Sequence, residues 1–328
     1  MYGATYHNPV WHGYLADPFV LEHDGEYYAY GTGPATPDGR IFPVLRSRDL
    51  ANWEPVGGAL VPPTGAGRDF WAPEVAYRDG QFFLYYSMAD ESGDMSHRLR
   101  VAVADHPAGP FIDCERLLLP GEGFCIDGHP FRDPADGRWY LFFAKDFFDG
   151  RVGTALAAAR LADDMMSIDG PVTTILRPSA DWQIYERERI HYGRCWDAWH
   201  TVEGPSVAAH DGRYYVFYSG GNWQTEGYGV GCAVADNVLG PYREATSGPS
   251  VLRGDGERIF GPGHNSTVLG PDGRTRLIVY HAWDVDHTAR RMCLDPLEFT
   301  VTGVRCLGPT STPQTLPSPV PQPAGAVR

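Results

Sequence analysis

The sequence predicts an all-β fold, a five-bladed β-propeller with four antiparallel strands per blade. Three observations carry that expectation. Five stretches, 17–32, 72–87, 129–144, 204–219 and 265–281, repeat one pattern: a strand-like run, an Asp-Gly turn and a second strand-like run. A proline stands six residues before four of the five turns. A second turn motif follows the hairpin in several repeats.

Each observation has a physical basis. The turns begin at Asp24, Asp79, Asp136, Asp211 and Asp272, and Asp-Gly between two β-rich runs is a strong hairpin signal. The prolines are Pro18, Pro73, Pro130 and Pro205, with Ser266 as the exception. Proline is tolerated at the first residue of a strand, where no ladder donor is needed. The second motif is Ser47-Arg48-Asp49-Leu50 leading to Trp53, Ala104-Asp105 leading to Gly109-Pro110-Phe111, and Ala235-Asp236 leading to Gly240-Pro241-Tyr242. It reads as the turn between a third and a fourth strand, and four strands in each of five units make a propeller.

The turns are 55, 57, 75 and 61 residues apart. The excess in the 75-residue interval falls on 177–201, rich in Trp, Tyr and Arg, and reads as a loop at the rim of a site. No linker interrupts the array, so 1–308 is one propeller domain. The segment 309–328, rich in Pro, Ser and Thr, is an extended tail along the outside.

Composition narrows the function. A chain of 328 residues with 43% hydrophobic content buries a core without staples. A formal net charge of -14 argues against a nucleic-acid partner and against adhesion to an acidic membrane, and fits a neutral ligand. No apolar run approaches the roughly 20 residues of a membrane span. The six cysteines show no C-x-x-C spacing and read as reduced thiols. The opening residues lack a basic stretch followed by an apolar run, so the expectation is a cytoplasmic protein.

In a propeller the first strand of each blade lines the central channel, so the residues that lead into those strands converge. Three blades bring a carboxylate there: Asp17, Asp127 and Glu203. Blade five brings His264, and blade two brings Trp71 and Glu74. Neighbouring carboxylates raise at least one pKa. Glycosidic hydrolysis needs that asymmetry, because one carboxyl must give a proton while another is ionised.

At these residues the chain resembles glycoside hydrolase family 43, from about Asn8 to Thr312. The matching pieces are Ala16-Asp17-Pro18-Phe19, Phe70-Trp71-Ala72-Pro73-Glu74, Ile126-Asp127, Val202-Glu203-Gly204-Pro205 and Gly261-Pro262-Gly263-His264-Asn265-Ser266. The resemblance implies hydrolysis with inversion: Asp17 as general base, Glu203 as general acid, and Asp127 raising the acid's pKa and holding it. It implies a structural calcium ion in the channel with His264 near it, reached mostly through waters, and no organic cofactor. It implies that Arg290, rather than its neighbour Arg291, contacts the sugar, and that Trp71 shapes the pocket wall. Where the family commonly has Pro directly after Ile-Asp, Gly128 and His129 intervene, which brings His129 towards the pocket.

The substrates so implied are arabinose- or xylose-containing oligosaccharides of plant cell walls. An α-L-arabinofuranosidase acting on chain ends is the first expectation. A β-D-xylosidase or an arabinan endo-hydrolase is the alternative, and a glycan-binding propeller without activity is the rival from another class. The oligomeric state is left open.

Overall fold

The computed structural model describes residues 3–318 apart from 66 and 302. Among these residues, two 3-10 turns, Asp94–Ser96 and Asp181–Gln183, interrupt regular elements that are otherwise strands. None of the described residues form a helix long and apolar enough to cross a membrane. The six cysteines form no disulfide.

The strands group into five antiparallel units. Unit one runs Ala16–His23, Glu26–Thr32, Ile41–Ser47 and Glu54–Leu60, each beside the next. Unit two is Arg68–Arg78, Gln81–Ala89, Arg98–Ala104 and Ile112–Leu117. Unit five is Phe260–Leu269, Arg276–Trp283, Arg290–Thr300 and Gly303–Cys306. Unit three is Cys125–Arg132, Trp139–Phe147, Gly153–Arg160 and Thr173–Leu176. Unit four is Arg194–His210, Arg213–Gly220 and Gly229–Ala235, whose outer edge is split between Arg243–Glu244 and Leu252–Arg253. A short parallel pairing of Gly153 and Thr154 with His200 and Thr201 joins units three and four into one sheet.

The Asp-Gly turns build their hairpins in two ways. In units one, two and four, both turn residues have positive φ: 51° and 77° at Asp24 and Gly25, 52° and 86° at Asp79 and Gly80, 47° and 72° at Asp211 and Gly212. That is the two-residue hairpin whose twist matches the strands. In units three and five the loop is longer, and the aspartate works through its side chain. Asp136 accepts the Arg138 N–H, and Asp272 accepts those of Arg274 and Thr275.

The core is divided into five apolar slabs, each between consecutive units. Phe42, Val44, Leu84 and Tyr86 fill the first, between units one and two. Leu99, Leu141 and Phe143 lie between two and three, and Phe142, Val202 and Val216 between three and four. Phe217, Ile278 and Tyr280 lie between four and five. The last slab, with Leu15, Ala29, Leu277 and Met292, joins unit five back to unit one. The leading strands lie against one another in the same cyclic order. Alternation along each strand sends its two faces into two different slabs, so the sheets are buried on both sides.

The segment 177–201 departs from the expected loop. Ile184–His191 pairs with the first part of Arg194–His210 as a β-hairpin that prolongs the leading strand of unit four. Its turn residues, Tyr192 and Gly193, have φ of 51° and 71°, the two-residue geometry again. The residues 309–318 return to the body: Gln314–Thr315 pairs with Thr5–Tyr6, Leu316 is buried, and Thr310 bonds to the buried Asp295. The remainder of the expected tail, 319–328, lies outside the described residues.

Candidate active site

Every leading strand carries a register irregularity (those of units two and five carry a second one upstream), and five equivalent irregularities each hold one residue with positive φ. These are Asp17 (51°), Ala72 (47°), Asp127 (60°), Gly204 (57°) and His264 (46°). A bulge re-aims side chains, and a non-glycine residue in this region of backbone space costs about 1 kcal/mol or more. Asp17, Asp127 and His264 therefore share one structural position. Glu203 stands one residue earlier, because unit four places Gly204 there. A side chain on Gly204 would press on the His264 ring, with a Cβ only 3.1 Å from it.

These residues open on a cavity of about 670 Å³. Asp17, Asp127, Glu203, His264, Arg290 and Trp71 all line it. Asp17, Asp127 and His264 are almost wholly buried, whereas Glu203 is partly exposed.

The carboxylates have opposite electrostatic settings. Burial pushes the Asp17 pKa up, but the Arg290 guanidinium and His264 hold it well below the usual carboxylate range. Arg290 Nη1 donates to Asp17 Oδ1 at 3.2 Å, and His264 Nδ1 lies 3.4 Å from the same oxygen. Burial also lowers the basicity of His264, but Asp17, Asp127 and Glu203 raise it above the ordinary histidine value. Burial pushes Glu203 up to about 7, with the Asp127 charge adding to it. Burial pushes Asp127 up to about 6, opposed by His264. Tyr228 donates its hydroxyl to Glu203 Oε1 at 2.8 Å, which pulls Glu203 back down.

His281 sits beside Asp17 in a different role. Burial pushes its pKa down to about 4, so the ring is neutral. Its Nδ1 accepts the Asp17 N–H at 3.1 Å. A ring nitrogen that accepts cannot also donate, so the 3.3 Å approach of that nitrogen to Asp17 Oδ1 is no ion pair.

Arg290 and Arg291 point to opposite sides of their strand, as alternation requires. Arg290 enters the cavity, donates to the Tyr14 hydroxyl and packs 4.4 Å over the Trp223 ring. Arg291 instead bonds to Asp284. Trp71 stacks on His97 with ring centroids 3.6 Å apart. His129 is a correction. It does not line the cavity but is buried, with Nδ1 2.6 Å from Glu74 Oε2 and Nε2 accepting the Val207 N–H at 3.0 Å. The bulge turns the inserted residue inward to pair with the carboxylate of unit two.

Sequence reasoning missed Tyr14, Trp223, Tyr228 and His281, and also Tyr185, Arg189 and Trp199, which the hairpin brings to the cavity wall. His281 had a signal, since it ends the fifth repeat where other repeats end in Thr32, Ser87 or Ser219. Tyr14, Trp223 and Tyr228 lie on connections and Tyr185, Arg189 and Trp199 on the inserted hairpin, with no repeat to align them. Among the described residues, no three His, Cys, Asp or Glu side chains are grouped to hold a metal ion.

Comparison with known proteins places this geometry. The family model for glycosyl hydrolases family 43 matches residues 6–304. A β-D-galactofuranosidase of Aspergillus niger is 28% identical over 316 residues, covering 90% of this chain and 83% of that protein. An extracellular exo-α-(1→5)-L-arabinofuranosidase of Streptomyces chartreusis is 28% identical over 291 residues, covering 85% and 83%. The crystal structure of a thermostable family-43 glycoside hydrolase superposes with a TM-score of 0.83 at 32% identity, over 97% of this chain and all of the other.

Proposed function

The chain belongs to glycosyl hydrolases family 43, and from that premise we propose that it removes α-L-arabinofuranosyl units from short oligosaccharides by a single, inverting displacement. One observation carries the proposal: Asp17 is held ionised while Glu203, in the same cavity, is held protonated up to about neutral pH.

Chemistry follows from that difference. Asp17 takes a proton from a water molecule, which attacks the anomeric carbon. Glu203 delivers its proton to the departing oxygen. The positive charge that develops on the sugar ring is favoured by Asp17 and by Asp127. Arg290 keeps Asp17 ionised and reaches the sugar bound over it. Trp71 gives the wall a flat apolar face, suited to the carbon face of a sugar ring. The named relatives support a furanoside, since α-L-arabinofuranose and β-D-galactofuranose share one ring configuration and differ in the exocyclic carbons.

The five units read as the blades of a propeller. The cyclic order of the leading strands, the slab joining unit five to unit one, and the Asp17–His281 hydrogen bond support that closure. A calcium ion in its channel would be approached by His264 through waters, and its contribution would be electrostatic.

Hydrolysis of nitrophenyl α-L-arabinofuranoside and nitrophenyl β-D-xyloside tests the reading. Faster release from the arabinofuranoside, abolished in Asp17→Ala, is the expected result. Preference for the xyloside would overturn the substrate assignment, and full activity in Asp17→Ala would overturn the assignment of the base.

A further inference from the structure

The positive-φ residues are held by a relay that runs around the five units. In each unit, the residue preceding the positive-φ position pairs with one residue of the second strand. The pairs are Ala16 with Thr32, Trp71 with Ser87, Ile126 with Ala144, Glu203 with Ser219, and Gly263 with His281. Four of those second-strand residues accept the N–H of the next unit's positive-φ residue. Thr32 Oγ1 accepts from Ala72 (2.8 Å), Ser87 Oγ from Asp127 (3.0 Å), Ser219 Oγ from His264 (2.7 Å) and His281 Nδ1 from Asp17 (3.1 Å).

The fifth position is Ala144, which has no side-chain acceptor. The N–H it would serve is that of Gly204, the residue after Glu203. That N–H donates instead to Asp127 Oδ2, at 2.9 Å. A buried N–H needs a partner, and a carboxylate makes a stronger one than a hydroxyl. We propose that Ala144 is a positioning residue: by offering no acceptor it hands the Gly204 N–H to Asp127, and so ties the backbone beside Glu203 to that carboxylate. The inference rests on the reading of Glu203 as proton donor. It assigns to one methyl group the coupling of two blades at the site of proton transfer.

The test is a reversal of sign. Ala144→Ser places a hydroxyl at the relay position, and Ala144→Cys adds comparable bulk with a much weaker acceptor. In the otherwise unchanged enzyme, Ala144→Ser lowers kcat on an alkyl α-L-arabinofuranoside, whose poor leaving group needs the acid, by roughly tenfold with little change in KM, because Glu203 is displaced where only the transition state feels it. In an Asp127→Ala background, where the Gly204 N–H has lost its acceptor, the same substitution raises kcat severalfold. Ala144→Cys does neither. The same direction in both backgrounds, no effect in either, or equal behaviour of Cys and Ser would overturn the proposal.

If Ala144→Ser does not fold, amide exchange at Gly204 decides. Exchange faster in Asp127→Ala than in Asp127→Asn, which keeps an oxygen acceptor, supports the relay. Equal rates in both variants and the unchanged protein overturn it. That measurement needs no turnover, so it separates failure of the relay from failure of the proposed activity.

Discussion

Asp17 and Glu203 stand in one cavity beside one histidine, yet burial has opposite results for them. At the head of unit one, desolvation is outweighed by a guanidinium 3.2 Å away and by His264, so the carboxylate stays charged. At Glu203 burial and the like charge of Asp127 outweigh His264 and the Tyr228 hydrogen bond, and the acid keeps its proton. The repeat supplies the same backbone position, or its neighbour, five times. What differs is the third strand of unit five, which alone sends Arg290 inward. A repeated scaffold thus produces an acid and a base, with Arg290 set beside Asp17 as the main difference between them.

Breaking the base side has the largest expected effect. Asp17→Ala lowers kcat on arabinofuranosides by about 10²–10⁴-fold, the usual worth of a positioned base, measured by sugar release. Arg290→Met lowers kcat/KM by about 10–100-fold, since a charge-assisted contact is lost. It also moves the acidic limb of the pH profile upward, because the guanidinium lowers the Asp17 pKa and its removal raises it.

Smaller changes sharpen the acid side. Asp127→Asn removes a charge that raises Glu203, so the alkaline limb, expected near 7, moves to lower pH. Tyr228→Phe removes a hydrogen bond that lowers Glu203, so the same limb moves to higher pH. Both are read from kcat/KM against pH. The smallest effect is on stability. Glu203 binds its proton more tightly folded than unfolded, so stability falls as pH rises from about 4.5 to about 7 and stays reduced above. Glu203→Gln removes that penalty. The variant should melt roughly 2–4 °C above the unchanged protein at pH 8 and at the same temperature below pH 4.5, by calorimetry.

The sequence made much of this legible, for a reason the repeat explains. Asp-Gly and the strand-leading prolines are local signals, so the five hairpins could be placed and aligned. The alignment then exposed Asp17, Asp127 and His264 as equivalents. Glu203 was found although it stands one residue out of line, because Gly204 takes the strained position in unit four. His129 was misplaced since a bulge of one residue reverses which side a strand presents, and nothing in Ile126-Asp127-Gly128-His129 states where the bulge falls. The hairpin at 184–200 reads as a loop in the sequence because its turn, Tyr192-Gly193, lacks the usual Asn or Asp. Tyr228 and Trp223 belong to connections, where tertiary contacts alone decide what meets Glu203 and Arg290.

The division of roles between Asp17 and Glu203 is tested most directly by kcat/KM against pH for the unchanged enzyme and Glu203→Gln. Two arabinofuranosides should be compared, one with an acidic nitrophenol leaving group and one with an alkyl alcohol. The alkaline limb near 7 should vanish in Glu203→Gln, with activity largely kept on the nitrophenyl substrate and lost on the alkyl one. A limb that persists in Glu203→Gln, or an equal loss on both substrates, would contradict that division.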